Sequence, residues 1–149
     1  IEQLQYTGVE SAPATAGASK HRLNFNHPVK ELVWVHQAAG AELGTNLAIT
    51  DGLLQLNGHD RFSKQNGLYF NAVQAQMHHT RSPSSNVQVY SFALNPEDHQ
   101  PSGTCNFSRI DNATLNITTG TNNGSVYIYA VNYNVLRIMS GMGGLAYSN

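Results

Sequence analysis

The run Val126–Met139 constrains the fold more than any other stretch of this chain. Read as extended backbone, it points Tyr127, Tyr129, Val131, Tyr133 and Val135 one way. Val126, Ile128, Ala130, Leu136 and Ile138 point the other, with Asn132 and Asn134 among them. A strand apolar on both faces needs cover on both. Two readings meet that need: a well-covered central strand, or a strand held between its own core and a neighbouring domain or subunit. Val29–Gln37 repeats the pattern, with Leu32 and Trp34 on one face and Val33 and Val35 on the other.

Shorter strands fill the rest. Ile1–Thr7 carries a modest strand signal, His21–Asn26 alternates through Leu23 and Phe25, and Leu53–Leu56 ends at the tight-turn pair Asn57-Gly58. Val87–Leu94 and the alternation of Leu115 and Ile117 add two more. Arg61–Gln74 fits a helical turn or two, because Tyr69 and Val73 are one helical turn apart. Gly8–Lys20 and Ala38–Asp51 read as loops, and Asn123-Gly124 as a turn. The sum is an all-β chain of about six or seven strands.

Composition narrows the function. Charged residues make up 11% of the chain, against roughly 25% in an average soluble domain. Polarity comes from Asn, Ser, Thr and Gly, which suits turns and neutral contact faces. The net charge is −1 and no Lys/Arg run appears, which disfavours direct nucleic-acid binding. Apolar runs are too short to span a bilayer as a helix. The single cysteine, Cys105, excludes an internal disulfide framework.

Between two strands lies a polar corner. Pro96 and Pro101 fix φ and remove two backbone donors, and Gly103 can take a positive φ. The wording from Leu94-Asn95-Pro96-Glu97-Asp98-His99-Gln100-Pro101-Ser102-Gly103-Thr104-Cys105-Asn106-Phe107-Ser108-Arg109-Ile110-Asp111-Asn112-Ala113 resembles the signature of the major capsid proteins of large eukaryotic double-stranded DNA viruses. The phycodnavirus and mimivirus-like branches are nearer, iridoviruses more distant. Phe25–Trp34 and Tyr129–Tyr147 resemble two further stretches of that family, so the likeness spans most of the chain.

The resemblance implies the carboxyl-terminal jelly-roll β-sandwich (residues 1–149) of a double jelly-roll capsid protein, lacking its first strands and beginning in mid-strand at Ile1. It implies a structural protein of the virion, assembled inside the infected host cell. Three chains would form a pseudo-hexagonal capsomer of an icosahedral shell, and the partners would be other copies, neighbouring capsomers and minor capsid proteins. No catalytic, cofactor or metal residue is expected. A lectin-like carbohydrate-binding module, using Tyr, Trp and Asn, is the alternative.

His78-His79 is the most metal-like pair, yet neighbours on a strand diverge, and the carboxylate that a cupin places near its His-x-His pair comes only at Glu97. A pair of loop histidines bonding backbone or a neighbouring chain is the expectation. Cys105 reads as a buried, inert residue, without a helix start or basic cluster to activate it. Asp60-Arg61 and Arg109-x-Asp111 read as structural charges, the latter pair sharing a strand face if extended. Gly141-x-Gly143-Gly144 has no following helix and is not a nucleotide loop. Of the sequons at Asn106, Asn112, Asn116 and Asn123, only Asn123 sits in a turn open to a glycan.

Overall fold

A computed structural model of the protein describes residues 1–12, 17–40, 46–120 and 124–148. In order, the elements are β1 (Glu2–Tyr6), β2 (Glu10–Ala12), β3 (Gly17–Arg22), β4 (Pro28–Ala38), β5 (Asn46–Leu47), β6 (Ile49–Leu56), β7 (His59–Asp60) and β8 (Gln65–Asn66). A π-helical turn (Tyr69–Val73) runs into α1 (Gln74–His78). Then come β9 (Gln88–Ser91), β10 (Cys105–Asn106), a 3-10 turn (Phe107–Arg109), β11 (Ala113–Thr119), β12 (Gly124–Tyr133), β13 (Leu136–Met139) and β14 (Met142–Leu145).

Two sheets face each other. The first runs β1-β12-β4-β10, with β2 beside β12 and β5 and β9 beside β4. The second runs β3-β11-β6-β7, with β8 beside β6. Strands far apart in sequence are thus neighbours in space, as jelly-roll crossovers require. Where six or seven strands are expected, the described residues form fourteen, several of them only two to four residues long.

Alternation decides which side chains meet in the middle. From β4, Leu32, Trp34 and His36 point inward, as do Val126, Ile128 and Ala130 from β12 and Leu115 and Ile117 from β11. Val33, Val35, Tyr127, Tyr129 and Val131 lie half-buried on the outer face of the first sheet. Phe70, from the π-helical turn, closes an open side of the sandwich and meets Trp34 edge-on with ring centres 5.2 Å apart. Rings then relay from Phe70 through Phe62, Tyr90 and Phe92 to Phe107 and Phe25. Each such pair is worth about 0.5–1.5 kcal/mol beyond its area burial.

Several expectations need correction. Gly8–Lys20 is not one loop: β2 and β3 lie within it, β3 pairing with β11 from Gly17↔Thr119 to Arg22↔Thr114. β3 reads Gly-Ala-Ser-Lys-His-Arg, with no large apolar side chain, so this edge strand leaves no hydrophobic alternation in the sequence. Ala38–Asp51 likewise contains β5 and the start of β6. Of the expected Asn123-Gly124 turn, Gly124 opens β12, while Asn123, the candidate glycan acceptor, falls outside the described residues.

The largest correction concerns Val126–Met139, which is two strands. β12 ends at Tyr133, and Asn134 diverts the chain. Its side-chain oxygen accepts from the Val135 amide at 2.7 Å and its Nδ2 donates to the Tyr147 carbonyl at 2.9 Å. An Asx-type bond to the next amide removes that amide from the ladder. β13 then pairs with β14 in a separate two-stranded hairpin.

Candidate functional site

The ordered corner, the histidine beside it and the outer face of the first sheet gather side-chain polar bonds and stacked rings. The corner starts where β9 ends. Ser91 Oγ donates to the Ala93 carbonyl and accepts from the Ala93 amide, which folds the chain out of the sheet. Ser102 Oγ accepts from the Asn95 amide and donates to the Asn95 carbonyl, tying the two limbs together. Asn95 Nδ2 donates to Asp98 across the tip. Gly103 has φ +149°, and a Cβ there would lie 2.8 Å from the Phe92 carbonyl oxygen. The expected positive φ is therefore present, and a backbone contact reinforces it. The chain then forms β10, which pairs Cys105↔Val29 and Asn106↔Pro28.

His78 and His79 are not on a strand. His78 ends α1, and its Nδ1–H donates back to the Gln74 carbonyl at 3.0 Å, a backbone bond of the kind expected. His79 does something sequence spacing did not reveal. Its Nε2 lies 2.6 Å from Glu31 on β4, and its Nδ1 lies 3.2 Å from Glu97 in the corner. Glu97 also accepts from the Thr80 amide and hydroxyl. One imidazole thus joins the end of α1, the first sheet and the corner. Burial pushes the Glu31 carboxyl up from the ordinary glutamate range, opposed by His79 and then Lys30. The Thr80 amide bond holds Glu97 down. The two carboxylates approach opposite nitrogens of the ring, so they do not converge on a point where one ion would sit. Among the described residues, no group of three or more His, Cys, Asp or Glu has metal-binding geometry.

The remaining candidates are dispersed. Cys105 is half-buried against the core, and burial pushes its thiol up, the direction of inertness. Arg109 and Asp111 do not share a strand face, because Arg109 is the last residue of the 3-10 turn and Asp111 lies in the bend before β11. Asp111 instead donates its amide to Asn57 Oδ1 and accepts on its carbonyl from Arg22. Asp60 accepts from Gln55 Nε2 across the β6–β7 turn. Asn106 caps the 3-10 turn, accepting from the Ser108 amide and hydroxyl, and Asn116 donates to Gln55. Gly141 forms the tip of the β13–β14 hairpin.

An open cleft of about 650 Å³ lies beside the β12–β13 junction, with Asn26, Asn106, Arg109, Tyr133 and Tyr147 on its walls. On the outer face of the first sheet, Tyr6 stacks on Tyr129 and Tyr127, with ring centres 4.9 and 6.3 Å apart. Lys30 reaches Glu2 and lies 5.5 Å from the Tyr133 ring centre, closing that row at one end. Sequence alternation had exposed this outer apolar row. It could not register Tyr6 against Tyr129, which depends on pairing between the two ends of the chain.

Two sheets around a ring-packed core, with polar capped corners, define a jelly-roll fold. The sequence profile of the family described as large eukaryotic DNA virus major capsid protein matches residues 1–144. The chain belongs to that family, whose members are proteins of the virion capsid. It is 51% identical to the major capsid protein of Pyramimonas orientalis virus, over 100% of this chain and 42% of that protein. To the major capsid protein of Paramecium bursaria Chlorella virus 1 it is 42% identical, over 100% of this chain and 48% of that one. In three dimensions it superposes on the PBCV-1 virus capsid with a TM-score of 0.85 at 37% identity, covering 100% of this chain and 51% of that one. The chain spans about half the length of these relatives.

Proposed function

We propose that this chain is the carboxyl-terminal jelly roll of a capsid subunit whose full polypeptide carries a second roll upstream. Three such subunits form a pseudo-hexagonal block, and blocks tile an icosahedral shell in contact with minor capsid proteins. The role is mechanical, with neither catalysis nor a bound cofactor. The observation that carries this reading is the whole-length likeness, in sequence and in fold, to subunits of one viral capsid. Its physical counterpart is a low-charge outer sheet face of stacked tyrosines and valines, a surface suited to packing against protein. Among the described residues no helix is long and apolar enough to cross a membrane. The test is size-exclusion chromatography with light scattering on the full-length protein. Three subunit masses in one sharp peak are expected, and a stable monomer would refute the reading.

The cleft supports a second reading. Tyr133 and Tyr147 beside Asn26 and Asn106 offer rings and amides of the kind that hold a sugar. A glycan array on the folded protein separates the two, since a shell subunit binds no glycan in a manner abolished by Tyr147→Ala.

A further inference from the structure

The β13–β14 hairpin forms its own two-stranded sheet, and every residue of both strands is exposed. Ile138 is 69% and Met142 77% exposed. The register sets Leu136 opposite Leu145 and Ile138 opposite Gly143 on one face. Met139 and Met142 face each other on the opposite side, where Arg137 lies across from Gly144. Both faces are therefore apolar, and the two glycines bare the backbone where another surface can approach closely. Ser140 and Gly141, with φ of 52° and 76°, make the tight two-residue turn that fits a hairpin's twist. A hairpin this regular is at best marginal alone in water. Its shape and its exposure agree only if something covers it.

The root of this arm is tied by several hydrogen bonds, and the first residue of the chain meets it there. Asn134 donates its amide to the Ile1 carbonyl at 2.9 Å, and the Ile1 nitrogen donates to the Asn134 carbonyl at 2.7 Å. Ala146 pairs back to Val135, and Asn26 donates to the Ser148 carbonyl. Uncovered apolar surface continues from the arm onto the outer face of the first sheet. Val135 is exposed at the root, and Leu4, 64% exposed, pairs with Val131 just beyond. The next step along the ladder is Tyr6 opposite Tyr129.

We propose that the β13–β14 arm and the adjoining outer face of the first sheet dock the polypeptide that precedes Ile1 in the full-length protein. The inference rests on the reading of this chain as the carboxyl-terminal part of a longer capsid subunit. Relatives about twice as long leave a segment of comparable size to occupy the surface. That segment would join β1 within hydrogen-bonding distance of the arm's root, so its local concentration there exceeds that of any second copy. The arm's sole charge, Arg137, calls for an acceptor on an otherwise apolar partner.

The test uses the full-length protein with a benzoylphenylalanine photo-crosslinker at Met142, and separately at Met139 so that the result does not hang on one site. The control is Thr50, exposed on the opposite sheet. Samples mixing light and heavy isotope-labelled chains are irradiated and mapped by mass spectrometry. Crosslinks from both arm positions to peptides upstream of Ile1 within the same chain are expected, with none of these from Thr50. Crosslinks predominantly between light and heavy chains would overturn the proposal in favour of a second copy. An arm that crosslinks to nothing, or one no more reactive with upstream peptides than Thr50, would overturn it outright. Light scattering on the same samples reports the trimer separately, so a failed arm and a failed capsid reading are told apart.

Discussion

Mild acid should loosen this sandwich from inside, through two histidines that face its core. His36 on β4 is 1% exposed and His21 on β3 is 2% exposed. Neither His36 nitrogen has a hydrogen-bond partner among the described residues. His21 accepts or donates one bond with Ser19, and its other nitrogen lies 3.8 Å from Glu10, beyond hydrogen-bonding range. Burial lowers both rings below the ordinary value of 6.5, and His21 lowers His36 further. For His21 the attraction of Glu10 acts in the opposite sense and does not outweigh burial. Both rings are thus neutral in the fold, whereas the unfolded chain takes up protons below about pH 6.5. Stability is full above that pH and falls as pH drops towards the lowered folded values. At about 1.4 kcal/mol per pH unit and proton, the two histidines together remove up to about 3 kcal/mol between pH 7.5 and 5.5. Total stabilities run to about 5–15 kcal/mol, so the loss is measurable. Urea melts at pH 7.5, 6.5 and 5.5 on the parent and on His36→Leu provide the assay. The variant should lose about half of the pH dependence. It should be no less stable at pH 7.5, because it removes two unpartnered buried nitrogens at similar volume. Glu31, with its carboxyl raised, gains protons with the opposite effect on stability as pH falls, and it is common to both proteins. Equal pH slopes in parent and variant would refute the argument.

Gly103→Val should cost about 1–3 kcal/mol in backbone strain, with the Phe92 carbonyl contact adding to it. Its thermal midpoint should drop well below that of Ala48→Val on an exposed loop, and matched midpoints would show an unstrained corner. His79→Ala should cost about 2–4 kcal/mol, because it strands the buried Glu31 carboxylate. The Thr80 amide should then exchange hydrogen faster, since the corner loses its tie to α1. Gly67→Ala should prevent folding at ordinary temperature, because a Cβ there would overlap the Ile49 carbonyl oxygen at 1.9 Å. Wild-type circular dichroism from that variant would show that the backbone yields freely. Elemental analysis of the dialysed full-length protein should find no stoichiometric Zn, Fe or Mn. One metal per chain, lost on His78→Ala, would contradict the proposed metal-free role.

What could be read in advance was whatever alternation writes into adjacent residues. Leu32 and Trp34 inward, Leu115 and Ile117 inward, and the Asn57-Gly58 turn all follow from period-two patterning and turn chemistry. His36 obeys the same rule, two residues beyond Trp34 on the inward face, so its burial follows from alternation while its lack of a polar partner does not. Pairing between distant segments was not visible. His79 meets Glu31 and Glu97 across 48 and 18 positions, and only the folded sheet decides that these side chains converge. The family wording locates the corner, but Glu97, too far along the chain for a cupin ligand, reaches back to His79 only in the folded structure.

The break at Asn134 shows how one polar side chain outweighs an apolar pattern. Val135, Leu136 and Ile138 continue the alternation of β12, so periodicity alone extends the strand. A ladder position, however, depends on the backbone amide being free, and the Asn134 side chain takes the Val135 amide for itself. The same residue binds Ile1 through its backbone and Tyr147 through its amide nitrogen, so the two ends of the chain are pinned at the point where the sheet stops. Both-sided apolarity in Val126–Met139 therefore has two causes. Within β12 it reflects a core face and a tyrosine-valine outer face. Beyond Asn134 it belongs to an arm that leaves the sandwich altogether. The first has its own sandwich beneath it even where the docked polypeptide covers its outer side. The second has none and depends on that partner alone, which is why the arm and not the long strand is the sharper test of what this domain packs against.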